Sequence, residues 1–130
     1  MADYTFSTTT AGPIDKAREH VVAALATEGF GVLTEIDVSA TMKAKLDVDM
    51  APYLILGACN PPLAHRAVSA EPSIGALLPC NVVLRAEGDR VIVDFMDPQS
   101  VLTLVEAEGI NEVAAEVRSR LEKVKDMLAG

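Results

Sequence analysis

Apolar positions recur along the chain in two spacings, one typical of helices and one of strands. The clearest helical stripe has apolar residues three or four positions apart, at Ile14, Ala17, Val21 and Leu25. Pro13 suits a first helical turn, and Gly29 stands where a left-handed C-terminal cap is expected. We therefore predict a helix over residues 14–28.

The C-terminal segment carries a second and longer helical stripe. Its apolar positions are Val113, Val117, Leu121, Val124 and Leu128. The residues between them are mostly charged, as expected for a helix with one face in solvent. Asn111 is the expected N-cap of this closing helix.

Five segments have the alternating or β-branched pattern of strands. They are 3–9, 31–37, 53–59, 80–87 and 91–96. Gly88-Asp89 predicts a tight turn that joins the last two in an antiparallel hairpin. Segment 53–59 is apolar on both faces, which predicts an interior strand covered on both sides, or on one side by a partner subunit.

Shorter helices are predicted between the strands. They cover 40–46, 61–69 and a segment from Asp97-Pro98 to about 109, with a turn or single helical turn at 71–78. Ser39 and Asn60 are the expected N-caps of the first two, and Pro61-Pro62 fits a first turn.

This order of elements predicts a single α+β domain over residues 1–130. One largely antiparallel five-stranded sheet would carry the two long helices on one face. Because two long helices cover only one face, the other is the expected interface of a homodimer.

Composition and charge exclude several classes of function. Half of the 130 residues are apolar, and 11 Lys and Arg stand against 19 Asp and Glu, for a net charge of −8. Nucleic acid and anionic membranes are therefore not expected as partners. The apolar runs are too short to span a bilayer, and the first ten residues lack a signal-peptide pattern, so a cytoplasmic protein with two reduced cysteines is expected.

The two cysteines are the main candidates for chemistry. Cys59 precedes the predicted helix at Asn60, where helix-end amides stabilise a thiolate, and His65 follows within two turns as a base or ion-pair partner. Cys80 would be a resolving thiol. The alternative is that both are inert core residues, as free cysteines commonly are.

Other chemistry has weaker support in the sequence. A zinc site from Cys59, His65, Glu71 and Cys80 is conceivable by donor type, but it lacks the closely spaced ligand pairs of structural zinc sites. There is no phosphate-binding glycine loop and no serine elbow. The sequence does not identify a cofactor.

Two phrases resemble the signature of the DUF302 family: GACNPPLAHRA from Gly57 to Ala67, and EPSIGALLPCNVV from Glu71 to Val83. The segment from Gly29 to Asp37, the pair Asp97-Pro98 and the closing helix extend the resemblance over nearly the whole chain. It implies a fold similar to one half of the TATA-binding protein, and dimers. The family is biochemically uncharacterised, and a fold of this kind does not by itself imply DNA binding.

Three functional hypotheses remain open. The first is a small-ligand or thiol-chemistry site whose candidate residues are Cys59, Asn60, His65, Glu71, Cys80 and Asn81. The second is a non-catalytic homodimeric accessory module in which the same residues only hold the fold. The third and weakest is a metal-binding domain.

Overall fold

The computed structural model describes residues 3–129 as one sheet with helices. The strands are β1 Thr5–Ala11, β2 Gly31–Asp37, β3 Tyr53–Cys59, β4 Cys80–Glu87 and β5 Arg90–Met96. The helices are α1 Ile14–Thr27, α2 Val38–Leu46, α3 Pro61–Ala70, α4 Pro98–Val101 and α5 Ile110–Leu128, with 3₁₀ turns at Pro72–Leu77 and Leu102–Leu104. The strand order is β1-β5-β4-β3-β2, and every neighbouring pair is antiparallel. The predicted α+β architecture is confirmed.

The core lies between one face of this sheet and the two long helices. Alternate residues of the three central strands are buried there: Leu54, Leu56, Ala58, Val82, Leu84, Val91, Val93 and Phe95. Helices α1 and α5 pack against each other and against the sheet. All five residues of the predicted α5 stripe are buried, together with Ile110 and Ala114. Burial of each large aliphatic side chain stabilises the fold by about 1.5–3 kcal/mol.

The opposite face of the sheet is only half buried, and we call it the open face. β3 is an interior strand, as predicted, but Tyr53, Ile55 and Cys59 on its open-face side remain partly exposed. Ile36 lies directly opposite Ile55 in the ladder and is 50% exposed. Within residues 3–129, β3 is therefore well covered on its helix side only.

Several local predictions are corrected. β1 starts at Thr5 and ends at Ala11, two residues later than predicted, and α4 stops at Val101 instead of near residue 109. The N-cap of α2 is Asp37 rather than Ser39, because the Asp37 carboxylate accepts the Ala40 N–H at 2.9 Å.

The start of α5 is also different from the prediction. Its N-cap is Gly109, at a φ of 87°, and Asn111 lies inside the first turn. Glycine reaches this left-handed conformation without steric cost, so the backbone turns into α5 without a side-chain cap. Gly29, by contrast, follows Glu28, the C-cap residue of α1, and has the predicted positive φ, at 84°.

Candidate functional site

An apolar cavity of about 260 Å³ lies where the C-terminal end of β3 and the start of β4 meet α3 and α5. Its walls are formed by Phe30, Leu33, Ala58, Cys59, Asn60, Leu63, Ala64, Ala67, Leu78, Pro79, Cys80, Val113 and Val117. Among the residues that the structure describes, none of those that line the cavity has a charged side chain. The cavity is open to the surface, and Leu33 is the most exposed of its wall residues, at 67%.

Two helices each provide part of the wall through residues one turn apart. Leu63 and Ala67 lie at positions i and i+4 of α3, and Val113 and Val117 have the same spacing on α5. Residues four apart share one helix face, so each pair borders the cavity, and α3 adds Ala64 to its pair. The smaller side chains of α3, Ala64 and Ala67, leave the space that larger residues would fill.

The sheet contributes its wall through a close approach at Gly57. A Cβ at this position would lie 2.2 Å from Thr34 Oγ1 and 2.8 Å from Pro79 Cγ, both far below van der Waals contact. Only glycine therefore allows Pro79 to pack over β3 at this point. Pro79 and its neighbour Cys80 thereby reach the cavity wall.

Both cysteines line the cavity, and both are free thiols. Burial raises the pKa of Cys59, which is half-buried. Burial, and secondarily the charge of a Cys59 thiolate, raises the pKa of Cys80 to about 11. The predicted low-pKa thiolate at Cys59 is therefore wrong. The apolar walls penalise the charged form of each sulfur, and both thiols are protonated at neutral pH.

Asn60 also lies at the cavity, with a different role from the one predicted. It is the N-cap residue of α3 by backbone position, but its side chain makes no cap hydrogen bond. Its Nδ2 instead donates to the Glu28 carbonyl oxygen at 3.2 Å. Arg120 Nη1 donates to the same oxygen at 3.1 Å. Asn60 thus ties α3 to the end of α1, and one N–H of its side-chain amide is engaged in this contact.

The other three candidate residues lie outside the cavity. His65 is exposed on α3 and does not line the cavity; with Arg66 and Glu108 it lines a second surface depression. The Glu71 carboxylate accepts the Ser73 N–H at 3.3 Å and caps a 3₁₀ turn. Asn81 is exposed on β4 opposite Gly57, on the face away from Cys80.

The positions of these residues also correct the metal hypothesis. Cys59 and Cys80 lie at one site, but His65 and Glu71 do not join them there. Within residues 3–129, no group of three or more His, Cys, Asp and Glu side chains is placed to hold a metal ion. A set of four zinc ligands is therefore not assembled by this fold.

Most of the cavity walls were not recognisable as a site in the sequence. Val113 and Val117 belong to the predicted core stripe of α5, and Leu63 and Ala67 have the same spacing on α3. Apolar residues at helical spacing give the same sequence pattern whether their side chains pack in a filled core or border a cavity. Phe30 and Leu78 likewise carry no local signal of a cavity.

The fold and the cavity together define a small α+β protein with one face of its sheet under two long helices and an apolar pocket at the sheet's end. The family model "Domain of unknown function DUF302" matches residues 6–128, and the chain belongs to this family.

A solved structure supports the same assignment. The crystal structure of the uncharacterized conserved protein DUF302 from Bacillus stearothermophilus is similar to this chain, with 26% sequence identity and a TM-score of 0.88. The similarity covers 98% of this chain and 99% of the other. No curated protein matches the sequence. Among the helices of residues 3–129, none has both the length and the apolar character that a bilayer-spanning segment needs.

Proposed function

We propose that this protein binds a small, neutral, apolar molecule in the cavity between β3, β4, α3 and α5. The observation that carries the proposal is an open cavity of about 260 Å³ whose described walls hold no charged side chain. Small-molecule sites are concave and mostly apolar, and are commonly few in each protein. An apolar cavity of roughly 150 Å³ accommodates benzene, so this volume suits a ligand with one or two rings.

The walls also indicate what the ligand lacks. One N–H of the Asn60 amide is engaged with the Glu28 carbonyl, and burial raises the pKa of both thiols, so the walls offer no charged group to a ligand. A charged ligand would lose its hydration without gaining an ionic partner. The net charge of −8 adds a general repulsion of anions.

The thiols serve in this proposal as soft apolar wall groups and not as nucleophiles. Neutral sulfur is polarisable and packs favourably against aromatic rings. A ligand with an aromatic ring therefore fits the walls better than an aliphatic one of equal size.

Methyl NMR with indole and with indole-3-carboxylate tests this proposal. Indole should shift the methyl signals of Leu63, Val113 and Val117 in a saturable manner, while those of the core residues Leu84 and Val93 stay in place. Indole-3-carboxylate has the same ring with a charge and should leave all of these signals unchanged. Equal shifts with both compounds, or none with indole, would contradict the proposal.

A pair of matched variants gives a second test. Ala64→Leu adds three carbons to the cavity wall and should abolish indole binding, because the added side chain fills the volume. Ala23→Leu makes the same change at an exposed position of α1 and should bind indole like the wild type. Urea midpoints of both variants show that each is folded. Unchanged binding by folded Ala64→Leu would place the ligand elsewhere.

A second candidate function is a homodimeric accessory module joined through the open face. The observation that favours it is a row of apolar residues, Ile36, Ile55 and Val83, which lie side by side on three strands and are only half-buried or exposed. Apolar surface of this kind is commonly covered by a partner. The similarity of this fold to one half of the TATA-binding protein, which the family resemblance implies, also stays a prediction.

Sedimentation at micromolar concentration tests the dimer. The wild type should sediment as a species of twice 13.8 kDa, and Val83→Lys should sediment as a monomer. The control Ala23→Lys adds the same charge at an exposed position of α1, on the other side of the sheet, and should leave the dimer intact. A wild type that is monomeric throughout would rule out this second function.

A further inference from the structure

A β-bulge lies at one wall of the cavity and presents an exposed apolar side chain there. In the β2–β3 ladder, Val32 pairs with Ala58 and Thr34 pairs with Gly57. Two steps along β2 thus match one step along β3, and Leu33 is the extra, unpaired residue. Bulges often redirect a side chain beside a functional site.

The exposure of Leu33 is unusual for its surroundings. Its neighbour Val32 packs against the core, whereas Leu33 is 67% exposed and yet lines the cavity. A side chain in this position has one side toward the cavity and the other toward solvent. It can therefore contact a bound molecule from above while it still borders water.

We infer that Leu33 is a specificity-determining residue that covers the outer end of the bound apolar molecule. This inference rests on the proposed function of the cavity. A ligand that fills the pocket brings apolar surface against Leu33, and both surfaces leave water together. Affinity should then depend on the size and polarity of residue 33, although its side chain contributes little to the fold.

The same strand supplies a matched control. Ile36 is also a large aliphatic residue of β2 and is 50% exposed, but it lies on the open face opposite Ile55 and does not line the cavity. Removal of either side chain deletes exposed apolar surface from β2. Only the removal of Leu33 takes surface away from the ligand.

Indole titrations of the full chain, followed by the Val113 and Val117 methyl signals, test the inference. Leu33→Ala should raise the Kd for indole about five- to tenfold, and Ile36→Ala should change it less than twofold. Leu33→Met keeps an apolar side chain of similar volume and should stay within about twofold of the wild type. In the wild type, cross-relaxation between indole protons and the Leu33 methyl groups should be observed.

The outcomes separate the two proposals. A wild type that does not bind indole overturns the proposed function, and the role of Leu33 falls with it. A wild type that binds, with Leu33→Ala binding equally well or with Ile36→Ala weakened as much, overturns the role of Leu33 alone. Urea midpoints measured for each variant ensure that the comparison is made between folded proteins.

Discussion

The side-chain amide of Asn60 and the main-chain carbonyl of Glu28 are joined by a hydrogen bond of 3.2 Å, although they are 32 residues apart. Glu28 ends α1, and Asn60 precedes α3. Arg120 on α5 donates to the same carbonyl oxygen. One oxygen atom therefore connects three helices beside the cavity.

Because two donors share this carbonyl, their removal should be non-additive. Asn60→Ala and Arg120→Ala are each expected to lower the free energy of unfolding by about 0.5–1.5 kcal/mol. The double variant should lose more than the sum, since only then is the Glu28 carbonyl without either donor. Urea unfolding of the four proteins measures the coupling. Strict additivity would mean that the two hydrogen bonds act independently.

Leu121 is fully buried in the middle of the α5 stripe. Leu121→Ala should lower the free energy of unfolding by about 2–4 kcal/mol, because the lost methyl groups leave a cavity in the core. The exposed neighbour Lys123 is the control, and Lys123→Ala should cost under about 0.5 kcal/mol. Glu122 is a poorer control, since its carboxylate accepts hydrogen bonds from Arg118. Equal losses for Leu121→Ala and Lys123→Ala would show that the buried face of α5 is misplaced.

Asp97 connects β5 to α5 through a nearly buried carboxylate. It accepts the Gln99 N–H at 2.9 Å and an Arg118 Nη1 hydrogen bond at 2.6 Å. Arg118 in turn lies over the Phe6 ring, 4.2 Å from its centroid. Asp97→Ala should cost about 2–4 kcal/mol, because it removes a cap and leaves a half-buried guanidinium with one carboxylate fewer.

The surface pair Arg120–Glu116 provides the comparison for Asp97. Glu116 also accepts an arginine hydrogen bond, at 2.9 Å, but its side chain is 47% exposed. Glu116→Ala should therefore cost under about 1 kcal/mol, because solvent screens exposed ion pairs. Thermal or urea unfolding at neutral pH measures both. A loss for Asp97→Ala no larger than that for Glu116→Ala would contradict the structural role of Asp97.

The raised pKa of Cys80 makes stability dependent on alkaline pH. In the unfolded chain this thiol ionises near its usual pKa of about 8.5, whereas in the folded protein it keeps its proton up to a pKa of about 11. The stabilising contribution is thus complete below about pH 8 and is lost as the pH rises towards 11.

Comparison with Cys80→Ala isolates this contribution. Between pH 8 and pH 11 the wild type should lose about 3 kcal/mol more of its free energy of unfolding than the variant, in the presence of a reductant. Urea unfolding at several pH values measures the difference. Parallel pH profiles would show that Cys80 is not desolvated in the folded state.

The two thiols should also differ in their reaction with iodoacetamide. Cys59 is half-buried and should react slowly and only at alkaline pH, while Cys80 is 7% exposed and should stay unlabelled until the protein unfolds. His65→Ala should leave the pH profile of Cys59 unchanged, because His65 lies outside the cavity. Peptide mass spectrometry follows each thiol. If Cys59 instead reacts rapidly near pH 7, and if His65→Ala slows that reaction, the result would support the hypothesis of an activated thiolate at Cys59.

Local patterns predicted the elements of this fold well where one pattern dominated. The α1 and α5 stripes and the strands Gly31–Asp37 and Tyr53–Cys59 appear where their periodicity places them. The helix after Asp97 was predicted too long, because residues 102–109 carry apolar positions that the structure uses in a 3₁₀ turn and a loop. Ser39 was predicted as the N-cap of α2, but it is the Asp37 carboxylate that reaches the Ala40 amide.

For the candidate site, the sequence by itself identified Cys59, Asn60 and Cys80 as neighbours of strand ends, and these three do meet at one cavity. It also grouped His65, Glu71 and Asn81 with them, because they are close along the chain. Helix and strand periodicity turns adjacent residues to different faces, so closeness in sequence did not become closeness in space.

What the sequence determined alone is the α+β class, the two amphipathic helices and the interior position of β3, since each depends on spacing within one segment. The thiol pKa values, the hydrogen bond of Asn60 to Glu28 and the apolar cavity could not be predicted in this way. Each of these depends on how much water is excluded where four elements meet, and on which distant group, such as the Glu28 carbonyl, arrives within hydrogen-bond distance.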